Sequence, residues 1–131
     1  MWYQKRGNKY NAKSSIYEGV AYDSKKEAGR ATELDLLLKA KAIKGWERQR
    51  RISFDHCLKC LRLCSVRCPE HPKEKVSHFT NYYIDFVIHE KDGTETYEEV
   101  KGFETTEWRK KWHLTELLYG NDENIKLVVN K

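Results

Sequence analysis

No apolar run in the 131-residue sequence approaches the ~20 consecutive residues that a membrane-spanning helix needs. The first residues also lack the apolar segment of a secretory signal peptide. The sequence has no internal repeat and no low-complexity linker, and its length suits a single domain covering residues 1–131. We therefore expect one cytoplasmic domain in a reducing compartment. In such a compartment, the four cysteines are more typical of metal binding than of disulfides.

Acidic residues are absent from the first 17 positions, which carry basic residues interleaved with aromatic ones. The whole chain has 25 Lys and Arg against 20 Asp and Glu, a net charge of +5. The concentration of positive charge in this basic arm (residues 1–15) is therefore a stronger indication of an anionic partner than the net charge of the chain. Basic and aromatic side chains together suit phosphate contact and base stacking. A solvated surface is the alternative for each basic cluster. The predicted DNA contacts are Lys5, Arg6, Lys9, Lys13, Lys26, Arg48, Arg50, Arg109 and Lys110.

The hydrophobic periodicity predicts a helix over residues 22–45, with Asp23 or Ser24 as N-cap and Gly45 at its end. Its predicted buried stripe consists of Glu27, Ala31, Leu34 and Leu38. Strands are predicted at residues 46–54, 79–90, 94–102 and 124–130, and a second helix at residues 105–120. The predicted order is therefore helix, three strands, helix, strand.

The turn at residues 91–93 decides how two acidic strands pair. A two-residue turn would place Asp85 opposite Val100, so that Asp85 and Glu99 would lie on opposite faces of the sheet. A three-residue loop with a left-handed glycine places Asp85 opposite Glu99 instead. We predict the longer loop, because it collects Asp85, Glu99 and Lys101 on one face.

Two carboxylates on one face repel each other unless a proton or a cation lies between them. Mg²⁺ prefers oxygen ligands and often takes one or two carboxylates. Asp85 and Glu99 are therefore candidate ligands, with Glu27 as the third acid, and Lys101 can orient a water molecule or offset phosphate charge. The alternative is a salt-bridged Asp85 beside a solvated Glu98 and Glu99.

These residues carry a resemblance to a known superfamily. Asp85, a gap of 13 residues, and then Glu99-Val100-Lys101 resemble the PD-(D/E)xK nucleases, although Ile84 stands where the proline of that motif would be. More narrowly, the segments KYNAK, DSKKEA, YYIDFVI, EEVKGF and EWRKK are similar to a family of small phage-encoded endonuclease-like proteins, often suggested to be Holliday junction resolvases.

The resemblance implies an α/β fold with a restriction-endonuclease-like core: a helix, a three-stranded antiparallel meander, a helix and a strand, in a mixed sheet. It implies that Glu27, Asp85, Glu99 and the backbone carbonyl of Val100 bind Mg²⁺ or Mn²⁺, and that Lys101 is catalytic.

The implied activity is a metal-dependent DNA endonuclease that cuts branched DNA or Holliday junctions, as a possible homodimer, in phage recombination, replication or packaging within the bacterial host cytoplasm. The alternative is a zinc-containing nucleic-acid-binding module without catalysis.

Residues 55–76 form a cysteine-rich insertion in the domain. Cys57 and Cys60 are spaced as CxxC, Cys64 and Cys68 follow, and His71 repeats the same spacing after Cys68. Four thiols in so short a span suit a structural tetrahedral Zn²⁺. We predict the four cysteines as ligands; the alternative set replaces Cys64 with His71. The same spacing is also compatible with an iron–sulfur cluster or with free cysteines.

Overall fold

The computed structural model describes residues 15–18, 20–22 and 24–131, with the backbone alone for residues 15, 16 and 20. The predicted DNA contacts Lys5, Arg6, Lys9 and Lys13 lie outside the described residues. The chain divides into two compact units, Met1–Ile43 and Lys44–Lys131. The prediction of one domain over residues 1–131 is neither confirmed nor contradicted by this division.

The described part of the first unit contains two short strands and a helix. Strands β1 (Ser15–Tyr17) and β2 (Val20–Tyr22) form an antiparallel pair that the sequence pattern does not predict. Helix α1 (Lys25–Lys39) begins at Ser24, whose hydroxyl accepts a hydrogen bond from the Glu27 N–H at 3.1 Å. The predicted N-cap is therefore confirmed for the serine.

Helix α1 ends earlier than the sequence predicts. Lys41 adopts a left-handed conformation with φ of 60°, and the Ala42 N–H donates to the Leu37 carbonyl, which together close the last turn of the helix. The prediction of Gly45 as the helix end is therefore wrong. The buried face holds Glu27, Ala28, Ala31 and Leu34. Leu38 is 39% exposed, so its predicted place on the buried stripe is also wrong.

The second unit is built on a five-stranded mixed sheet in the order β4-β3-β5-β6-β7. Its strands are β3 (Ile43–Cys57), β4 (Leu63–Cys64), β5 (Val76–Glu90), β6 (Glu95–Val100) and β7 (Ile125–Asn130). The pairs β3–β4 and β5–β6 are antiparallel, whereas β6 and β7 are parallel. The predicted mixed α/β class is therefore confirmed. Strand β4 was not predicted, because it is only two residues long.

The register of β5 and β6 is the predicted one. Phe86 pairs with Glu98, and the Glu90 N–H donates to the Thr94 carbonyl at 2.9 Å. Gly93 has φ of 90°, a conformation that favours glycine and closes the three-residue loop. The observed pairs run from Phe86–Glu98 to His89–Glu95, so the predicted loop and its register are confirmed. Asp85 and Glu99 lie just beyond the last pair, and their direct opposition stays a prediction.

Helix α2 (Thr106–Tyr119) connects β6 to the parallel strand β7. Thr105 caps it by accepting the Trp108 N–H, and Gly120 follows its last turn, as predicted. The helix buries the predicted residues Trp108, Trp112 and Thr115. The two tryptophans pack in one apolar core with residues of the central strands, including Ile84, Val87 and Tyr97. One face of the sheet at Asp85 and Glu99 is thereby covered by tryptophan.

Candidate active site and metal centre

The hydrogen-bond ladder between β5 and β6 gives way to side-chain bonds at Asp85 and Glu99. The Asp85 N–H donates to Glu99 Oε1 at 2.9 Å, and the Val100 N–H donates to Asp85 Oδ2 at 2.9 Å. Each carboxylate thus takes a place that a backbone carbonyl would hold in a continued ladder. These bonds fix both carboxylates relative to the backbone.

Glu99 is an acid in an almost dry environment, since only 2% of its surface is exposed. Its Oε2 accepts a hydrogen bond from the Trp108 indole N–H at 3.1 Å, and the same N–H also donates to the Tyr82 hydroxyl at 2.9 Å. Burial raises the pKa of Glu99 well above its ordinary value, and the nearby charge of Asp85 raises it further. Burial and the charge of Glu99 likewise raise the pKa of Tyr82. Helical periodicity predicts that Trp108 belongs to the core, and it does not reveal the bond from Trp108 to the acid.

Lys101 and Glu99 lie on the same side of the sheet. The Lys101 Nζ is 5.2 Å from the centroid of the Trp108 ring, and the indole N–H of the same ring donates to Glu99. The positive charge of Lys101 lowers the pKa of the Glu99 carboxyl. Glu98 is 4% exposed and belongs to the opposite face by strand alternation. The alternative in which Glu98 and Glu99 are solvated is therefore wrong. A ligand role for the Val100 carbonyl stays a prediction.

Glu27 lies on the buried face of α1, with 8% of its surface exposed. This burial confirms its predicted side of the helix. Because Glu27 belongs to the first unit and the acidic pair to the second, the predicted grouping of the three acids stays a prediction.

The buried Glu99 should give the protein a distinctive dependence on pH. A folded-state pKa above the unfolded value of about 4.3 means that the folded protein holds this proton more tightly. The stabilisation is complete below pH ~4 and is lost as pH rises through the folded-state pKa. We expect the free energy of unfolding of the wild type, measured relative to Glu99→Gln by urea titration, to fall from pH 4 to pH 8. A difference independent of pH would contradict the raised pKa.

A second group of ligand side chains lies in the loop between β3 and β5. Among the described residues, Cys57, Cys60, Cys68 and His71 bring four ligand atoms within 4.8 Å of one another. The Cys60–Cys68 Sγ–Sγ distance is 3.8 Å, and the Cys68 Sγ to His71 Nδ1 distance is 3.6 Å. A tetrahedral Zn²⁺ with bonds of about 2.3 Å to sulfur and 2.0 Å to nitrogen requires edges close to these lengths. The cluster can therefore hold a zinc ion.

Among the described residues, the group that could hold a metal ion includes His71 and not Cys64, which favours the alternative ligand set over the four cysteines. Cys64 is buried with 2% exposure and pairs with Asp55 in the β3–β4 ladder, outside the four-atom group. Two equal spacings, Cys57-x-x-Cys60 and Cys68-x-x-His71, supply the four ligands. A hydrogen bond from the Cys60 backbone N–H lowers the pKa of the Cys57 thiol, which favours the thiolate that binds metal.

Asp55 anchors this loop to the sheet. Its Oδ2 accepts the Val66 N–H at 2.7 Å, and its Oδ1 lies 2.7 Å from His78 Nδ1. Ser53 adds a hydroxyl donor at 2.9 Å. Asp55 is 2% exposed, and the hydrogen bonds to His78 and Val66 outweigh its burial and lower its pKa. The sequence pattern does not reveal this anchor, because Val66 and His78 are 11 and 23 residues away from Asp55 in the sequence.

The predicted DNA contacts within the described residues have different surroundings. The Arg50 guanidinium binds Glu47, Glu95 and the Tyr97 hydroxyl, so its hydrogen-bond donors already have partners within the protein. Lys26 and Lys110 are exposed, Arg48 is half-buried, and Arg109, which is exposed, lies 3.7 Å from Glu104. Nucleic-acid contact by any of these residues stays a prediction.

Comparison with known proteins identifies the family. The model of the family described as "Protein of unknown function (DUF1064)" matches residues 7–129, so the chain belongs to this family. No curated protein and no solved structure matches the chain. Among the described residues, no helix is long and apolar enough to cross a membrane.

Proposed function

We propose that the protein is a metal-dependent DNA endonuclease that hydrolyses phosphodiester bonds. One observation carries the proposal. Asp85 and Glu99 lie side by side where the β5–β6 ladder ends, one of them fully buried, with Lys101 on the same side as Glu99. Burying a carboxylate beside another acid costs stability, and such sites are typical of functional centres.

The proposed site would bind Mg²⁺ or Mn²⁺ through Asp85 and Glu99, which supply the oxygen ligands that these ions prefer. When bound, the ion would polarise the phosphate and lower the pKa of the attacking water. Trp108 holds one oxygen of Glu99 and the Asp85 N–H holds the other, so the carboxylate keeps a fixed orientation. Lys101 would offset the charge that develops on the phosphate. Glu27 is proposed as the third acid.

The proposed substrate is branched DNA, such as a Holliday junction, in phage recombination, replication or packaging in a bacterial cytoplasm. The support is the similarity of the segments YYIDFVI and EEVKGF, which carry Asp85 and Glu99, to small phage-encoded endonuclease-like proteins. Cutting both strands of a junction requires two active sites, hence a homodimer.

The test measures cleavage of linear, nicked, flapped and four-way DNA with and without Mg²⁺, and it compares Glu99→Gln with Glu98→Gln. Both substitutions replace a buried glutamate carboxyl with an amide at neighbouring positions of one strand, and Glu99 is the one that bonds to Asp85 and Trp108 in the proposed centre. We expect Glu99→Gln to abolish Mg²⁺-dependent cleavage and Glu98→Gln to retain it. Wild-type protein that cleaves none of these substrates, or equal cleavage by both variants, would refute the proposal.

The second candidate is a zinc-containing nucleic-acid-binding module without catalysis. The closed group of Cys57, Cys60, Cys68 and His71 favours it, because four protein ligands leave no open position for chemistry at zinc. DNA binding by the wild type without cleavage under any metal would favour this candidate.

A further inference from the structure

The segment between β3 and β5, which carries the cysteine cluster, also has apolar side chains that are exposed to solvent. Leu58, Leu61 and Val66 expose 55%, 70% and 65% of their surface. Isolated exposed apolar residues are common and need no explanation by themselves. The backbone conformation of two of them makes this loop different.

Leu61 and Val66 both have left-handed backbones, with φ of 63° and 68°. This conformation is costly for residues with a Cβ and is a marked outlier for β-branched valine. It is nevertheless held firmly, since the Leu61 N–H donates to the Cys57 carbonyl at 2.8 Å and the Val66 N–H donates to Asp55 Oδ2 at 2.7 Å. Glycine would fit both positions better. The chain thus keeps an exposed apolar side chain at two positions where a residue without one would be more stable.

The charges around these side chains favour an anionic partner. Residues 58–75 contain five basic residues and two acidic ones. The basic residues are Lys59, Arg62, Arg67, Lys73 and Lys75, and the acidic ones are Glu70 and Glu74. One pair, Arg62 and Glu70, forms a bridge at 2.9 Å between two exposed side chains, which water screens strongly.

We infer that this loop is a DNA wedge, in which Leu61 and Val66 enter between unstacked bases at a branch point and the basic residues contact the flanking phosphates. Apolar side chains that insert between bases need a rigid loop to hold them and a base step that unstacks at a low energetic cost. The group of Cys57, Cys60, Cys68 and His71, together with Asp55, would hold the loop rigid, and a branch point supplies bases that are already partly unstacked. The inference rests on the proposed function, because it names the feature of branched DNA that the protein would recognise.

The test replaces the apolar side chains and leaves the left-handed backbone in place. Asparagine tolerates this conformation, so Leu61→Asn and Val66→Asn should keep the loop and its zinc. The control is Leu117→Gln, which removes a leucine of similar exposure, 64%, from helix α2. Binding is measured by fluorescence anisotropy without added Mg²⁺ on a four-way junction carrying 2-aminopurine at the branch, and on a linear duplex of the same length. Zinc content and thermal unfolding establish that each variant is folded.

We expect the Leu61→Asn/Val66→Asn double variant to bind the junction about tenfold more weakly, the loss that one or two base contacts would cause. Its affinity for linear duplex should change less than twofold. The wild type should brighten 2-aminopurine on binding, and the double variant should not. The Leu117→Gln control should behave as the wild type.

Unchanged junction affinity in a zinc-loaded double variant overturns the inference, and a loop that contacts protein instead of DNA would give this result. Equal losses on junction and linear duplex also overturn it, because phosphate contact alone would then explain the binding. The outcome is distinguishable from failure of the nuclease proposal. Wild-type protein that binds the junction but never cleaves it refutes the nuclease alone, whereas cleavage by a protein whose wedge variants bind normally refutes the wedge alone.

Discussion

Replacing Asp85 with asparagine should make the metal-free protein more stable at neutral pH and, at the same time, abolish Mg²⁺-dependent cleavage. The side-chain carbonyl of the asparagine can still accept the Val100 N–H that Asp85 Oδ2 accepts. Burial is the largest cause of the raised pKa of Glu99, and the substitution removes the nearby charge that raises this pKa further. We therefore expect the urea midpoint of the variant at neutral pH to be higher than that of the wild type. Activity should fall by at least ~100-fold, because even a residue that only supports a metal ligand can cost that much.

The measurements are urea unfolding at pH 7.5 and junction cleavage with Mg²⁺. Addition of Mg²⁺ or Mn²⁺ should raise the melting temperature of the wild type and leave that of Asp85→Asn unchanged, because the ion relieves a repulsion that the variant lacks. Asp122→Asn is the control: Asp122 is exposed and distant in the sequence from the acidic pair, so we expect a change within about 0.5 kcal/mol. A destabilised Asp85→Asn, or a wild type that does not respond to either ion, would contradict a metal site at the acidic pair.

The acidic pair was predictable because its geometry depends on a local signal. Gly93 selects the three-residue loop, and the loop fixes which residues pair from His89–Glu95 to Phe86–Glu98, next to the two acids. Strand alternation then separates Glu98 from Glu99 without any knowledge of the rest of the fold. The bond from Trp108 to Glu99 was not predictable in this way, because it depends on how α2 lies across the sheet. Helical periodicity shows that Trp108 is buried and does not show which polar atom its N–H meets.

The errors in the first unit have similarly local causes. Residues 40–44 have acceptable helix propensity, so the sequence predicts a helix that continues to Gly45. The structure ends it with a left-handed Lys41, which carries no sequence signal because lysine rarely adopts that conformation. Strands of two or three residues, such as β1 in the first unit and β4 in the second, are too short for alternation to be recognised.

His71 decides between the two ligand sets, and its replacement should remove zinc from the protein. The wild type should bind one zinc ion per chain. His71→Ala should lose it, because three thiolates without a fourth protein ligand bind the ion far less tightly than the four side chains that lie within reach of one ion. Without the ion, the loop between β3 and β5 has little apolar core of its own, so the melting temperature of the protein should fall by several degrees and the loop should become sensitive to protease.

Cys64→Ala is the matched control for this experiment, since it removes a buried thiol from the same loop. Cys64 lies in the β3–β4 ladder opposite Asp55 rather than among the ligand atoms, so the variant should retain one zinc ion by mass spectrometry. Zinc retained by His71→Ala and lost by Cys64→Ala would instead support the four-cysteine set that the spacing of the cysteines first suggested. The comparison therefore separates two sites that share Cys57, Cys60 and Cys68, and it does so by metal content without reference to any activity.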